Sequence, residues 1–149
     1  MRKFDSKGLQ LAKAQARLFS QSIDSYKGSS KSFAKTFMNS ISCENVDRTL
    51  DFSIDEIIFE LDNYKLPKIG KHKFHYDVMY WIGYIYRYWS YVYEEKSKTI
   101  YKIINCGELA KLYEPYHTLD PSNVIERILE ANGVQQKINA VDLYRKMFF

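Results

Sequence analysis

The sequence predicts an all-α protein, a compact single-domain bundle of six to eight helices that spans residues 1–149. Three observations support this prediction. The chain length of 149 residues fits one domain of ordinary size. Apolar residues make up 46% of the chain and charged residues 27%, which argues against a disordered or low-complexity polymer. Gly and Pro number only 6 and 3, too few for a turn-rich β-sandwich, and apolar residues recur at helical spacing.

The N-terminal half contains three predicted helices and one predicted loop. Apolar residues at three- and four-residue steps predict a helix over 6–24 with Ser6 as its N-cap, and a second helix near 30–42. A capping-box pattern that starts at Ser53 predicts a third helix over 53–63. The apolar stripe of this third helix consists of Ile54, Ile57, Ile58 and Leu61. The polar stretch that follows, 65–74, contains Pro and Gly and is a candidate mobile loop.

The aromatic stretch 75–95 is predicted to be the central helix. Seven tyrosines and two tryptophans lie within 76–93, and a length of about 20 residues without a turn signal favours a helix over a strand. Gly83 in its interior predicts the close approach of a neighbouring helix. Beyond it, shorter helices are predicted to start near Ser97, Gly107 and Pro121, the last capped by Asp120 or Thr118, with a final short helix over 138–147.

The composition and the motifs also limit where the protein can be located and which cofactors or metals it can bind. Cys43 and Cys106 are far apart in sequence, which excludes a disulfide framework and a zinc cage of cysteines. The chain has neither a signal-peptide pattern nor an apolar run approaching about 18 residues, so we expect a cytoplasmic protein without membrane association. No glycine-rich phosphate loop or metalloprotease motif occurs, so we predict no cofactor. His72 and His75 lie three residues apart and Asp77 follows, but no further Cys or His is near them in sequence, so we predict no metal site.

The central helix also supplies the predicted partner-binding face, because Tyr, Trp and Arg are the usual anchors of protein interfaces. The predicted contact residues are Tyr80, Tyr84, Arg87, Tyr88 and Tyr91. Arg87 has a structural alternative, in which it stacks on an aromatic ring or pairs with Asp77, Glu94 or Glu95. No catalytic residue is predicted, and the sequence leaves a homo-oligomer open.

Two other functions are alternatives. Arg87 and the tyrosines after it resemble the helix of HEPN-type RNA-cleaving toxins, in which an Arg is followed four to six residues later by a His. No His lies within six residues of Arg87, so this alternative needs the distant His75 or His117. The net charge of +4 is concentrated in the first 75 residues. A DNA-binding regulator would use the basic residues at the start of the chain and on the first helix, which are Lys3, Lys7, Lys13 and Arg17, although a solvated helix face is the favoured explanation for them.

The stretch 80–129 resembles a family of short bacterial proteins encoded beside ADP-ribosyltransferase-like toxins. The matching pieces are Ser97-Lys-Thr-Ile-Tyr101, Leu112-Tyr-Glu-Pro-Tyr116-His117-Thr118 and Ile125-Glu-Arg-Ile128. The chain departs from the family by an additional N-terminal half of about 75 residues, and by Tyr116 where the family tends to have Leu. The resemblance implies a non-enzymatic, antitoxin-like protein that binds and silences a toxin enzyme in a bacterial toxin–antitoxin or phage-defence system.

Overall fold

Nine α-helices run through the residues that the computed structural model describes, 1–63 and 69–133, and no strand occurs among these residues. The all-α fold predicted from the sequence is therefore confirmed. None of these helices combines the length and the apolar composition that crossing a bilayer requires. In chain order the helices are α1 (Ser6–Ser25), α2 (Ser30–Met38), α3 (Ile41–Thr49), α4 (Ile54–Asp62), α5 (Tyr76–Val92), α6 (Ser97–Ile103), α7 (Cys106–Ala110), α8 (Tyr113–Tyr116) and α9 (Pro121–Ala131).

α1 and α5 form an antiparallel pair at the centre of the fold. The Tyr76 hydroxyl at the start of α5 donates to the Asp24 carboxylate at the end of α1 (2.8 Å), and the Gln15 amide donates to the Gly83 carbonyl midway along both helices (3.1 Å). A Cβ at Gly83 would lie 2.8 Å from both the Gln15 carbonyl oxygen and the Phe19 ring. The predicted close approach of a helix at Gly83 is therefore confirmed.

The core is built around this pair. The Phe19 ring makes edge-to-face contacts with Phe33 and Phe37 of α2, with ring centroids 5.1 and 5.5 Å apart. The Tyr86 hydroxyl is buried among them and donates to the Ile104 carbonyl (2.8 Å). The buried apolar residues of α5 and α9 that complete this core are Met79, Ile82, Ile85, Trp89, Val124, Ile125, Ile128 and Leu129.

The predicted helix over 30–42 is wrong at its C-terminal end. α2 stops at Met38, and the Ser40 hydroxyl accepts a hydrogen bond from the Cys43 backbone N–H (3.0 Å), which caps the separate helix α3. Sequence periodicity missed α3 because only Cys43 and Val46 of its nine residues are buried. This division, together with the separation of the helix predicted near Gly107 into α7 and α8, raises the helix count of the described residues above the predicted six to eight.

The structure also corrects two predicted caps. Asp5, not Ser6, caps α1, and its carboxylate accepts the Gly8 N–H (3.0 Å). Ser53 makes no side-chain hydrogen bond at the start of α4, so the capping box predicted there is absent. At α9, Asp120 caps the helix and Pro occupies its first turn, as predicted.

The predicted mobile loop 65–74 is described in part. Residues 65–68, like the predicted last helix 138–147, lie outside the described residues. The described part is attached to the start of α2: the Ser29 N–H donates to the Ile69 carbonyl (3.2 Å) and the Ser30 N–H to the His72 carbonyl (2.9 Å). In this structure residues 69–74 are therefore anchored rather than detached.

Candidate functional site

The predicted contact face of α5 is exposed only at its N-terminal end. Tyr80 has 37% of its surface exposed, and Tyr84 and Tyr88 are half-buried. The Phe4 ring packs against Tyr88, with ring centroids 4.5 Å apart, and against the edge of Tyr84 at 6.3 Å. Burial raises the pKa of both half-buried phenols, so they stay protonated near neutral pH. The structure therefore brings Tyr80, Tyr84 and Tyr88 together on one partly covered face.

Tyr91 is a buried residue, and the prediction that it forms part of an exposed contact face is wrong. Its hydroxyl donates to the Asp5 carboxylate (2.6 Å), and the Arg2 guanidinium lies over its ring at 4.7 Å. This hydrogen bond raises the pKa of Tyr91 and lowers the pKa of Asp5. Tyr91 thus ties the N-terminus of the chain to the end of α5.

The prediction that Arg87 lies on an exposed contact face is also wrong, because this residue is only 1% exposed. Its guanidinium donates to the Asp47 carboxylate (2.7 Å), to the Gln15 side-chain carbonyl (2.8 Å) and to the Ser90 hydroxyl (3.0 Å). The Asp47 carboxylate accepts two further bonds, from the Ser97 backbone N–H (2.8 Å) and hydroxyl (2.6 Å). This network joins α1, α3, α5 and α6, and it takes the place of the alternative pairings considered for Arg87.

The structure does not bring a histidine to Arg87. His75 caps the same helix 12 residues earlier, which is about 18 Å along the helix axis. His117 is exposed and stacks on the Tyr113 ring at 4.3 Å. Because the guanidinium is buried and bound to the Asp47 carboxylate, this arrangement does not present it to an RNA phosphate, and the RNA-cleaving alternative stays a prediction. Among the described residues, no cluster of three or more His, Cys, Asp or Glu side chains could hold a metal ion.

The basic residues considered for nucleic-acid binding all lie at the surface. They are Lys3, Lys7, Lys13 and Arg17, and each is exposed. The last two are separated by one turn of α1 and share its outer side. Exposure is also what a solvated helix face requires, so binding of nucleic acid by these residues stays a prediction.

A different surface, formed by α4 and the start of α3, was missed by the sequence reasoning. Phe59 is 71% exposed and Ile41 is 70% exposed, and Ile54 and Ile58 of α4 are exposed as well. A groove with a volume of about 670 Å³ runs between the two helices and is lined by Ile41 and Phe59 together with acidic side chains. We call this surface, with its carboxylates Asp55, Glu56, Glu60 and Asp62, the α3–α4 face.

Buried residues of α4 and hydrogen bonds to α3 position the α3–α4 face. Ile57 and Leu61 are the two residues of α4 that are buried, so half of the predicted apolar stripe does not enter the core. The Glu60 carboxylate accepts the backbone N–H groups of Ile41 (2.9 Å) and Ser42 (2.8 Å), which attaches α4 to the N-terminus of α3. These contacts fix which side of α4 faces the core in this structure, and Ile58 and Phe59 lie outside it.

Charge separates this face from the rest of the molecule. Residues 39–63 contain seven carboxylates and one basic residue, Arg48, so this stretch has a formal charge of −6 in a chain whose total is +4. Asp55, Glu56 and Asp62 form no ion pair within the described ranges. The signal that could have found this surface is the local charge count, which is hidden when residues 1–75 are counted together.

No protein-family model, no curated protein and no solved structure matches this chain. The resemblance to toxin-adjacent proteins over 80–129 therefore stays a prediction.

Proposed function

We propose that this chain is a non-enzymatic, cytoplasmic protein-binding module that neutralises a partner toxin enzyme, as the antitoxin-like component of a bacterial toxin–antitoxin or phage-defence system. One observation carries the protein-binding part: two large apolar side chains, Ile41 and Phe59, are exposed and line one groove together with the carboxylates of Asp55, Glu56 and Glu60. Contiguous apolar surface rimmed by polar groups is typical of interfaces between proteins.

The antitoxin part is supported by the resemblance over 80–129. The α3–α4 face lies outside that stretch, in the N-terminal half that the resembling family lacks. A surface specific to this chain would be expected in such an added region, since it would recognise this chain's own partner. Tyr80 and the half-buried Tyr84 and Tyr88 offer a second, smaller contact within the resembling stretch.

The chemistry of the α3–α4 face selects its partner. Phe59 and Ile41 are the most exposed apolar side chains of the face, and burying each one would contribute about 1–2 kcal/mol. The uncompensated carboxylates of α4 favour lysines and arginines around the partner's apolar pocket, and they would also accelerate the encounter. The expected occupant is therefore a basic, apolar-centred surface of the toxin enzyme.

The test is co-expression with the enzyme encoded beside this chain, with growth and co-purification as the two readouts. The wild-type chain should relieve growth arrest and co-purify with the enzyme. The variant Ile41→Ala/Phe59→Ala should weaken co-purification by at least about tenfold, because it removes the two apolar anchors of the groove. Leu9→Ala, an exposed apolar residue on α1, is the matched control and should behave as the wild type.

Three outcomes would contradict the proposal. If the wild-type chain neither relieves growth arrest nor binds the enzyme, the antitoxin role fails. If the variant and the control bind equally, the α3–α4 face is not the interface. If light scattering detects a dimer that Phe59→Asp dissociates, the face is covered by a second copy of this chain instead of by a toxin.

A further inference from the structure

A second groove, between α2 and the start of α7, carries charge of the opposite sign. Its volume is about 770 Å³, within the range of about 300–1,000 Å³ that small-molecule sites occupy. The charged residues of its lining are three lysines and one carboxylate: Lys31, Lys35, Lys111 and Glu108. We call it the lysine groove.

The carboxylate of the lysine groove does not neutralise the lysines. Glu108 accepts the Asn105 N–H (3.3 Å), and its own N–H donates to the Asn105 side chain (3.0 Å), so the two residues form the capping box of α7. None of the three lysines forms an ion pair in the part of the chain that the structure describes. The groove therefore has uncompensated positive charge.

The lysines are placed where an anion would relieve their repulsion. Lys31 and Lys35 are one turn apart on α2, and like charges at this spacing repel each other. The Lys31 side chain lies across Gly107: a Cβ there would be 2.8 Å from its Cε atom and 3.3 Å from its amine. Because Gly107 has no side chain, the Lys31 amine can occupy the space beside it.

The remaining lining supplies hydrogen-bonding groups and two apolar surfaces. Side-chain hydroxyls and amides come from Ser32, Thr36, Asn39 and Asn105. The apolar surfaces are Ile69, which is 70% exposed, and the half-buried ring of Tyr101. Burial raises the pKa of the Tyr101 phenol to about 12, so this side chain adds no negative charge to the groove near neutral pH.

We propose that the lysine groove binds a phosphate-bearing nucleotide, with the phosphates at Lys31, Lys35 and Lys111 and the base against Tyr101 and Ile69. A group of ammonium ions suits several phosphate charges, and an aromatic ring suits a base. This role goes beyond the protein-binding function and does not depend on the α3–α4 face. A free nucleotide and a nucleotide within RNA offer the same chemistry.

The experiment measures binding of two probes, ATP and a fluorescein-labelled single-stranded RNA, to the full chain at low salt. Lys31→Glu/Lys35→Glu should weaken binding by at least about tenfold, because it reverses two phosphate contacts. Lys13→Glu/Arg17→Glu makes the same change of charge at the same spacing on α1, the other basic surface considered for nucleic acid, so it shows which of the two surfaces holds the probe. We expect it to weaken binding by less than about threefold.

A third variant tests the position of the Lys31 amine without changing the charge of the groove. Gly107→Ala keeps every lysine but displaces the Lys31 side chain, and it should weaken binding by about threefold at an unchanged melting temperature. Binding of ATP identifies a free nucleotide as the ligand, and binding of RNA alone identifies a nucleotide within a strand. The proposal is overturned if neither probe binds, if the α1 pair loses as much affinity as the α2 pair, or if Gly107→Ala leaves the affinity unchanged.

Discussion

α5 and α4 are both rich in apolar residues, yet they lie in opposite environments. Ten of the 17 residues of α5 are buried, including Arg87, whereas only Ile57 and Leu61 of the nine residues of α4 are buried. α5 is packed on most sides beyond its first turn, so even the guanidinium of Arg87 is inside and bonded to protein groups. The comparison teaches that the aromatic stretch, the strongest feature of the sequence, marks the centre of the core, while the unremarkable α4 carries the exposed apolar surface.

Of all the substitutions considered, one in the interior of α5 should reduce the free energy of unfolding most. Arg87→Ala removes one partner of a buried ion pair and leaves the Asp47 carboxylate without its counter-charge. We expect a loss of about 3–5 kcal/mol in the free energy of unfolding, measured by denaturant titration.

A double-mutant cycle controls that measurement. Asp47→Ala alone should also be strongly destabilising, because it leaves Arg87 charged in the core and removes the acceptor of the Ser97 N–H. The double variant should then cost clearly less than the sum of the two single variants. Additive losses would show that Arg87 and Asp47 do not act as a pair.

An intermediate effect is expected at the contact between α1 and α5. Gly83→Ala would place a methyl group 2.8 Å from the rigid backbone of Gln15, and we expect it to cost about 1–3 kcal/mol of unfolding free energy. Gly107→Ala is the matched control within a helix, because the atoms that it meets belong to the flexible Lys31 side chain. It should change stability by less than about 0.5 kcal/mol, and equal losses at both glycines would contradict the rigid contact.

The smallest effect on stability is expected on the α3–α4 face. Phe59→Ala removes a ring that is 71% exposed, so the free energy of unfolding should change by less than about 0.5 kcal/mol in the same titration. Phe37→Ala, at a fully buried phenylalanine, is the comparison and should cost about 3–5 kcal/mol. A large loss at Phe59 would mean that this ring supports the fold and is not free for a partner.

Much of the fold could be predicted from the sequence, because local signals decide it. The central helix and its contact at Gly83 follow from spacing and from residue type alone, and Asp120 is one of the two residues predicted to cap α9. The burial of Arg87 and the exposure of the α3–α4 face could not be predicted in this way. Arg87 finds its partner 40 residues earlier, on a helix that periodicity missed, and no local pattern links it to Asp47.

The order of residues by itself determined that the chain is helical and that 75–95 lies at its centre, since a long apolar and aromatic helix must be covered on several sides. Tertiary structure alone decided which side of each helix is covered. On α4, Ile54 and Ile58 form one stripe along the helix, and Ile57 and Leu61 form the adjacent stripe. The two stripes are equally apolar. Because Glu60 is bound to the N-terminus of α3, the stripe of Ile57 and Leu61 faces the core and the other stripe is exposed.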